Sequence, residues 1–382
     1  MMRAAAERTR SDLARFDLLP PTRARLEGFL AANERNAAQV RALFADAGIE
    51  PCTDREAIRR RSADARGRLP LTHHYELLLR DWAWGARCPE NAEALGRVLG
   101  MAAEAGWGRT LVLGAGAGRL TYDVHQATDA SVTLALDLDP LLSLVAHHVL
   151  FGDGRTLIEF PFAPDSDAWV EHELRRPDAL RPGMHWLVAD ALDPPVSAGG
   201  WDTVLTAWFI DVCDADVREV IGTVHRLLAP GGRWINTGPL LYPPSRPPAQ
   251  RYPPAEVLAL TEVGGFDVET SSLQEVRYLR SPLSGHARLE SVLSFVARKT
   301  AWKAGPSAEP PAWVIARHCP IPRFPSAPTG HPLLDRVGAL LDGQRSVADV
   351  AQALAGALPP DVDARDAAAA LVLELHRRGE DA

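Results

Sequence analysis

Glycine and aspartate residues follow three short apolar runs, each with the composition of a buried β-strand. The run LVLGAGAGRL contains Gly114, Gly116 and Gly118, and the runs TLALDLDP and WLVADALD contain Asp137 and Asp190. Glycine lets the backbone turn sharply and approach a ligand. A carboxylate at a strand end can accept both hydroxyls of a ribose, and we expect Asp190 to read an adenine amino group. Because the carboxyl ends of parallel strands meet at one crevice, these features together predict a nucleoside site.

The spacing of the glycines narrows the choice of ligand. G-x-G-x-G is tighter than the dinucleotide fingerprint G-x-G-x-x-G, in which a pyrophosphate lies at a helix N-terminus. A ligand without a phosphate needs only a close backbone approach, which the tighter loop offers. This spacing disfavours a nicotinamide oxidoreductase. The alternative is a plain strand-to-helix turn, because such turns often contain glycine.

A fourth apolar run, WDTVLTAWFID, ends in Asp211. Ligands of open α/β sheets bind beyond the carboxyl ends of the strands, so we predict that this carboxylate faces the same crevice. The alternative is that Asp211 caps the following helix. Asp214 is better placed for that role, because it immediately precedes ADVREV.

Strands and helices must alternate to position these residues, and the sequence alternates in this way from Trp107 to Lys299. The pattern predicts an α/β fold with a seven-stranded sheet covered by helices on both faces. The connection at 152–183 is too long for a simple link and is predicted to be a functional loop or lid. We expect this segment and the N-terminal helices to close over the site.

The chain is predicted to have four regions that differ in composition. They are an N-terminal helical region or cap (1–105), the sheet domain (106–299), a Pro-rich linker (300–328) and a small helical or winged-helix module (329–382). Within the last region, Ser346 and Asp349 have the spacing of a capping box at a helix start.

Composition excludes several classes of function. The net charge of -8 disfavours nucleic-acid binding. The sequence contains no apolar run of the roughly 20 residues that a membrane helix needs, and its N-terminal residues lack the apolar core of a signal peptide. The four cysteines are far apart and predict reduced thiols in a cytoplasmic protein, with no metal site.

Four motifs resemble one family. They are GAGAGRLTYD, the strand end WFID, the strand end WINTGPLLY, and RDW ahead of the sheet domain. Together they resemble the carnosine N-methyltransferases, which are S-adenosylmethionine-dependent methyltransferases of the Rossmann-like class. The resemblance covers roughly 75–299, so it implies S-adenosyl-L-methionine as cofactor and makes 106–299 the methyltransferase domain.

The resemblance also implies two groups of site residues. The predicted cofactor-binding residues are Gly114, Ala115, Gly116, Gly118, Arg119, Asp137, Leu138, Asp190, Ala191 and Trp208. The predicted substrate-binding residues are Phe209, Asp211, Asn236, Tyr242, His286 and Glu290. Asp211 is the predicted catalytic residue, because its counterpart in the family faces the imidazole that is methylated.

This role for Asp211 is chemically reasonable. A neutral imidazole has one bare nitrogen and one N–H, and a carboxylate that accepts the N–H fixes the tautomer and orients the ring. The carboxylate also stabilises the charge that develops on the ring and can take the proton. The chain departs from the family at Pro243, where the family has a histidine, and at SGHARLESVL, where the family has tyrosines. Carnosine itself is therefore one candidate substrate among several imidazoles and amines.

The sequence thus predicts N-methylation of an imidazole ring nitrogen of histidine in a small peptide or derivative. The predicted partner is a small-molecule or short-peptide substrate containing imidazole, with no nucleic acid and no membrane, and with a homodimer as one option. The segment LLDGQRSVADVAQALAG resembles small helical or winged-helix modules, which occur appended to bacterial methyltransferases and as peptide-binding units in modified-peptide biosynthesis. The alternative is that this module only packs onto the core or onto a dimer partner. The alternatives are an O- or C-methyltransferase of another small metabolite, or a catalytically idle cofactor-binding subunit that recruits a peptide.

Overall fold

The fold was analysed in a computed structural model of the chain. The structure describes residues 2–50, 71–102, 106–160, 169–213, 215–300, 319–323, 329–359 and 362–380.

Seven strands form the main sheet. With strands numbered in chain order, they are β1 (Arg109–Leu113), β2 (Val132–Asp137), β5 (Met184–Val188), β6 (Trp201–Ala207), β7 (Leu228–Pro239), β8 (Phe266–Tyr278) and β9 (Arg288–Lys299). Their order in the sheet is β5-β2-β1-β6-β7-β9-β8. β2 pairs in parallel with β5, and β6 with β7. The predicted seven-stranded α/β fold is therefore confirmed.

Helices lie before, between and after these strands in the described part of the chain. In chain order the helices are α1 (Met2–Arg15), α2 (Pro20–Asp46), α3 (Leu71–Trp82), α4 (Glu90–Met101), α5 (Arg119–Ala127), α6 (Pro140–Phe151), α7 (Val217–Leu227), α8 (Pro254–Val263), α9 (Pro332–Leu340), α10 (Val347–Leu354) and α11 (Ala364–Glu380). Asp139 caps α6 by accepting from the amides of Leu141 and Leu142. Asp216 caps α7 by accepting from the amide of Arg218. The residue that we predicted as this cap, Asp214, lies outside the described residues.

The predicted loop or lid at 152–183 contains regular structure. β3 (Arg155–Glu159) and β4 (Val170–Leu174) form an antiparallel two-stranded sheet of their own. The buried Asn36 of α2 pairs with the backbone of Ile158, because its side chain both donates to the carbonyl and accepts from the amide at 2.8 Å. The two strands are therefore fastened to α2, and residues 161–168 lie outside the described residues.

The C-terminal helices α9, α10 and α11 pack around a small apolar core of their own. Ser346 and Asp349 form the predicted capping box at the start of α10, which confirms that expectation. Most of the predicted Pro-rich linker, at 301–318 and 324–328, lies outside the described residues. Among the helices that the structure describes, none is long and apolar enough to cross a membrane.

Contacts within the chain define two compact units. Unit 1 comprises 1–107, 111–191 and 273–292, and unit 2 comprises 108–110, 192–272 and 293–382. The predicted site residues fall in both units.

Candidate active site

The glycine loop, residues 114–118, belongs to unit 1 and joins β1 to α5. Gly114, Gly116 and Gly118 have φ angles of +67°, +61° and +89°, which only glycine adopts without strain. A Cβ built at Gly116 meets no atom within 4 Å, so this part of the loop has open space beside it. A Cβ at Gly118 would lie 2.8 Å from the ring of Trp186. Gly116 thus suits ligand approach, and Gly118 suits close packing.

The end of α3 supports the glycine loop from the protein side. The indole nitrogen of Trp82 donates to the carbonyl of Ala117 at 2.8 Å. The guanidinium of Arg119 donates to the carbonyl of Asp81 at 2.9 Å, and the amide of Ala115 donates to the end of β2. The RDW motif pointed to this helix, but sequence reasoning assigned no contact to Trp82. Arg119 supports the loop from within α5.

Asp137 lies at the end of β2 and is bound to the glycine loop. One carboxylate oxygen accepts from the amide of Gly116 and the other from the amide of Asp139, each at 2.8 Å. Burial raises the pKa of Asp137 to about 6, although both hydrogen bonds act in the opposite direction. The group that we predicted to hold the ribose therefore changes charge in a moderately acidic range.

Apolar side chains are exposed next to Asp137. Leu138 and Val188, which follow β2 and end β5, are both exposed. Asp190 is exposed and Ala191 is buried two and three residues beyond the end of β5. An exposed apolar pair beside carboxylates suits a flat base such as adenine. Sequence reasoning missed Val188, because a strand-end valine looks the same whether it packs inward or outward.

Asp211 belongs to unit 2 and lies in the turn after β6. It is only 1% exposed, and its Oδ2 accepts from the amide of Leu241 at 2.9 Å. The carbonyl of Phe209, which is itself buried, accepts from the amides of Val212 and Cys213 and so closes the turn. Val212 and Leu241 are 57% and 62% exposed. A buried carboxylate is therefore flanked by two exposed apolar side chains.

The backbone before Asp211 is strained and tightly packed. Trp208 has a φ of +48°, a region that non-glycine residues rarely adopt. Its amide donates to the carbonyl of Thr237 at 2.8 Å. A Cβ built at Gly238 would lie 2.9 Å from the backbone nitrogen and Cα of Trp208. The ends of β6 and β7 thus approach each other at a point that only glycine permits, and such strain is typical of functional sites.

Two predicted substrate residues of unit 2 have different surroundings. Asn236 is buried, where its Oδ1 accepts from Thr206 and its Nδ2 donates to the carbonyl of Leu293. These bonds use the side chain inside the sheet, which disfavours a contact between Asn236 and the substrate. Tyr242 is partly buried and donates to the carbonyl of Tyr252 at 3.1 Å. Burial raises the pKa of Tyr242, and the charge of Asp211 raises it further.

Arg246 braces the loop that follows Asp211. Its buried guanidinium donates to the carbonyls of Cys213 and Ala215. Sequence reasoning missed this contact, because Arg246 and its partners are separated by about thirty residues. The brace joins the segment after β7 to the segment after β6.

The remaining predicted substrate residues, His286 and Glu290, belong to unit 1. His286 is exposed, whereas Glu290 is buried and accepts from Arg288. Within unit 1, the structure joins the glycine loop to Asp137 and places Asp190 and Ala191 just beyond β5, the strand that pairs with β2. The predicted cofactor residue Trp208 lies with Asp211 and Phe209 in unit 2. In the ranges that the structure describes, no group of three or more His, Cys, Asp or Glu residues could hold a metal ion.

Comparison with known proteins supports the resemblance seen in the motifs. Residues 164–301 match the profile of the carnosine N-methyltransferase family. The chain is 28% identical over 219 residues to the carnosine N-methyltransferase unmet of Drosophila melanogaster, covering 50% of this chain and 45% of the fly protein. A second similarity is to the carnosine N-methyltransferase of Mus musculus, with 40% identity over 68 residues and 17% of each chain.

The chain thus spans about half the length of the fly relative. Among solved structures, a putative methyltransferase from Bacillus halodurans is 12% identical, with 54% of this chain and 99% of that chain covered and a TM-score of 0.39. The α/β fold of the chain follows from its own strand order. The sequence matches confirm that the chain resembles the carnosine N-methyltransferase family, whose profile it carries at residues 164–301.

Proposed function

We propose that this chain is an S-adenosylmethionine-dependent N-methyltransferase that acts on an imidazole nitrogen of histidine in a small peptide or histidine derivative. The observation that carries the proposal is the buried carboxylate of Asp211 at the end of β6, held by the amide of Leu241. The similarity to carnosine N-methyltransferases supports it, and so does the match of the motif around Asp211.

The residues of unit 1 fit the cofactor. Gly116 leaves open space for a ligand, Asp137 offers a carboxylate to ribose hydroxyls, and the exposed Leu138 and Val188 offer apolar surface to adenine. When bound, the cofactor supplies an electrophilic methyl group. The protein's own contribution is to bind and orient both ligands, which can account for several kcal/mol of the barrier.

Asp211 would orient the acceptor and stabilise the positive charge that develops on it. The amide of Leu241 donates to Oδ2 of Asp211, and a carboxylate can accept several hydrogen bonds at once. An imidazole N–H donated to Asp211 would leave the opposite ring nitrogen as the bare nucleophile. The carboxylate would stabilise the positive charge that develops on the ring and then accept its proton. Because Asp211 is buried, this interaction would be stronger than in water.

The surface beside Asp211 suits a flat acceptor. Val212 and Leu241 are exposed apolar side chains next to a buried polar group, which is the usual composition of a small-molecule site. An aromatic ring can pack on them while its N–H reaches the carboxylate. The proposed contacts of the acceptor are therefore Asp211, Val212, Leu241 and the partly buried Tyr242.

The test is methyl transfer from labelled S-adenosylmethionine to histidine, carnosine, related imidazoles and short histidine peptides. We expect Asp211→Asn to lower kcat by roughly 10²- to 10⁴-fold, the range of general acid–base catalysis. Cofactor affinity, measured by calorimetry, should stay unchanged. The matched control is Asp267→Asn, because Asp267 is exposed on β8.

Three results would overturn the proposal. One is unchanged turnover in Asp211→Asn. Another is a product methylated on oxygen or carbon, identified by mass spectrometry and nuclear magnetic resonance. The third is cofactor binding without transfer to any imidazole, which is the behaviour of an idle subunit.

A further inference from the structure

Two guanidinium groups lie against one tyrosine ring in unit 1. The Cζ atoms of Arg80 and Arg288 are 5.0 and 5.1 Å from the ring centroid of Tyr278. The ring is buried, and burial raises the pKa of Tyr278 to about 12, so the phenol is neutral. Cation–π attraction favours this arrangement. These three residues and Glu290, which accepts from Arg288, are called the Tyr278 cluster below.

The two arginines differ in how much of each guanidinium is available. Arg80 donates from Nε and Nη2 to Asp81, at 2.8 and 2.6 Å, and its side chain is 17% exposed. Arg288 donates from Nη2 to Glu290, and its side chain is 40% exposed. A guanidinium carries five N–H donors. Arg288 therefore presents donors at the surface while Glu290 and the tyrosine ring hold its plane.

The Tyr278 cluster adjoins the glycine loop through the last turn of α3. The two residues after the stacked arginine of α3 both contact the loop region. The carbonyl of Asp81 accepts from Arg119, and the indole of Trp82 donates to the carbonyl of Ala117. Arg288 thus contacts the same aromatic ring as Arg80 of α3, the helix that supports the proposed cofactor site.

We propose that Arg288 binds a carboxylate of a ligand in the active site. The planar guanidinium of arginine can form two parallel hydrogen bonds to a carboxylate. A guanidinium that is already held in place loses little entropy on binding. The inference rests on the proposed function, in which two ligands carry a carboxylate. These are the amino-acid end of the cofactor and the C-terminus of a peptide acceptor.

The experiment compares each acid with a counterpart that lacks the carboxylate. The first pair is S-adenosylhomocysteine and methylthioadenosine. The second pair is carnosine and its carboxamide, titrated into protein saturated with S-adenosylhomocysteine. Dissociation constants are measured by calorimetry for the full chain and for Arg288→Met. We expect this variant to bind one of the two acids roughly 10- to 100-fold more weakly, because the loss of a hydrogen bond to a charged group weakens binding by about this factor.

The counterpart of the affected acid should bind Arg288→Met as it binds the unsubstituted chain. Arg288→Lys keeps the positive charge but cannot form two parallel hydrogen bonds to the carboxylate. Its affinity for the affected acid should therefore lie between those of the unsubstituted chain and Arg288→Met. Arg277→Met is the matched control, because Arg277 is exposed on β8 and should leave every constant unchanged. Weaker binding of S-adenosylhomocysteine would assign the cofactor carboxylate to Arg288, and weaker binding of carnosine would assign the acceptor carboxylate.

The proposal is overturned if Arg288→Met weakens neither acid more than its counterpart. It is also overturned if the variant weakens all four ligands equally, since that result indicates a general loss of structure. Because the experiment measures binding, a failure to transfer methyl groups would count against the proposed function. The dissociation constants would still test the role of Arg288.

Discussion

The protonation of Asp137 should control how tightly the cofactor binds. Its pKa is raised to about 6, so the fraction present as carboxylate falls as the pH drops through that value. Ribose hydroxyls donate to a carboxylate better than to a neutral acid. We therefore expect affinity for S-adenosylhomocysteine to be constant above about pH 7 and to fall towards tenfold per pH unit below 6.

Calorimetry between pH 5 and 8 checks this dependence on Asp137. Asp137→Asn should bind more weakly throughout and lose the pH dependence, because the amide does not titrate. An unchanged slope in that variant would assign the dependence to another group. Asp123, whose pKa burial raises, is the first alternative, since it pairs with Arg119 beside the glycine loop.

At the scale of elements, the close approach between the ends of β6 and β7 lies just before the turn that holds Asp211. Gly238→Ala would place a Cβ 2.9 Å from the backbone of Trp208, and backbone atoms cannot swing aside as a flexible side chain can. We expect a loss of about 1–3 kcal/mol in the free energy of unfolding, as for other overpacked sites. We also expect lower turnover, because Asp211 is three residues beyond Trp208.

Denaturant unfolding and methyl-transfer rates measure both effects of Gly238→Ala. Gly96→Ala is the control, because a Cβ there meets nothing within 4 Å and alanine favours the interior of α4 by up to about 1 kcal/mol. Equal stability changes in the two variants would show that the backbones can separate at no cost.

The same elements show how far sequence reasoning reaches. The glycine loop, the acid at the end of β2 and the capping box at Ser346 are local patterns, and each could be read from adjacent residues. The contact between Trp208 and Gly238 could not, because it joins positions thirty residues apart. β3 and β4 were missed because RTLIE and VEHEL are short and lack a clear apolar alternation. Both strands also bond to residues of α2, Asn36 and Arg35, which are far away in the sequence.

At the scale of the whole molecule, stability should depend on the buried Glu159. Its carboxylate accepts from the indole of Trp84 at 3.0 Å and from the hydroxyl of Ser281, and it lies 2.7 Å from Nε2 of His172. Burial alone would raise the pKa of Glu159, but these hydrogen bonds outweigh it and the pKa is lowered. Three distant parts of unit 1 are thereby joined at one side chain.

We expect Glu159→Gln to lower the free energy of unfolding by about 3–5 kcal/mol, as for other broken buried pairs. A lowered folded-state pKa means that the stabilisation is complete above the unfolded value, about 4.3, and is lost as the pH falls below it. Denaturant unfolding from pH 7 to pH 3.5 measures both quantities. Glu171→Gln removes an exposed pair with Arg35 and should cost at most about 1 kcal/mol. Similar losses in the two variants would contradict a central role for Glu159.

Asn36 has a consequence for how the molecule behaves in concentrated solution. Its side chain bonds to both backbone groups of Ile158, as a neighbouring strand would. A two-stranded ribbon otherwise offers unpaired amides and carbonyls that can recruit a strand from another molecule. At this position the side chain of Asn36 takes the place of a neighbouring strand. The backbone amide and carbonyl of Ile158 on the edge of β3 are therefore already bonded, and this position cannot start aggregation by recruiting another strand.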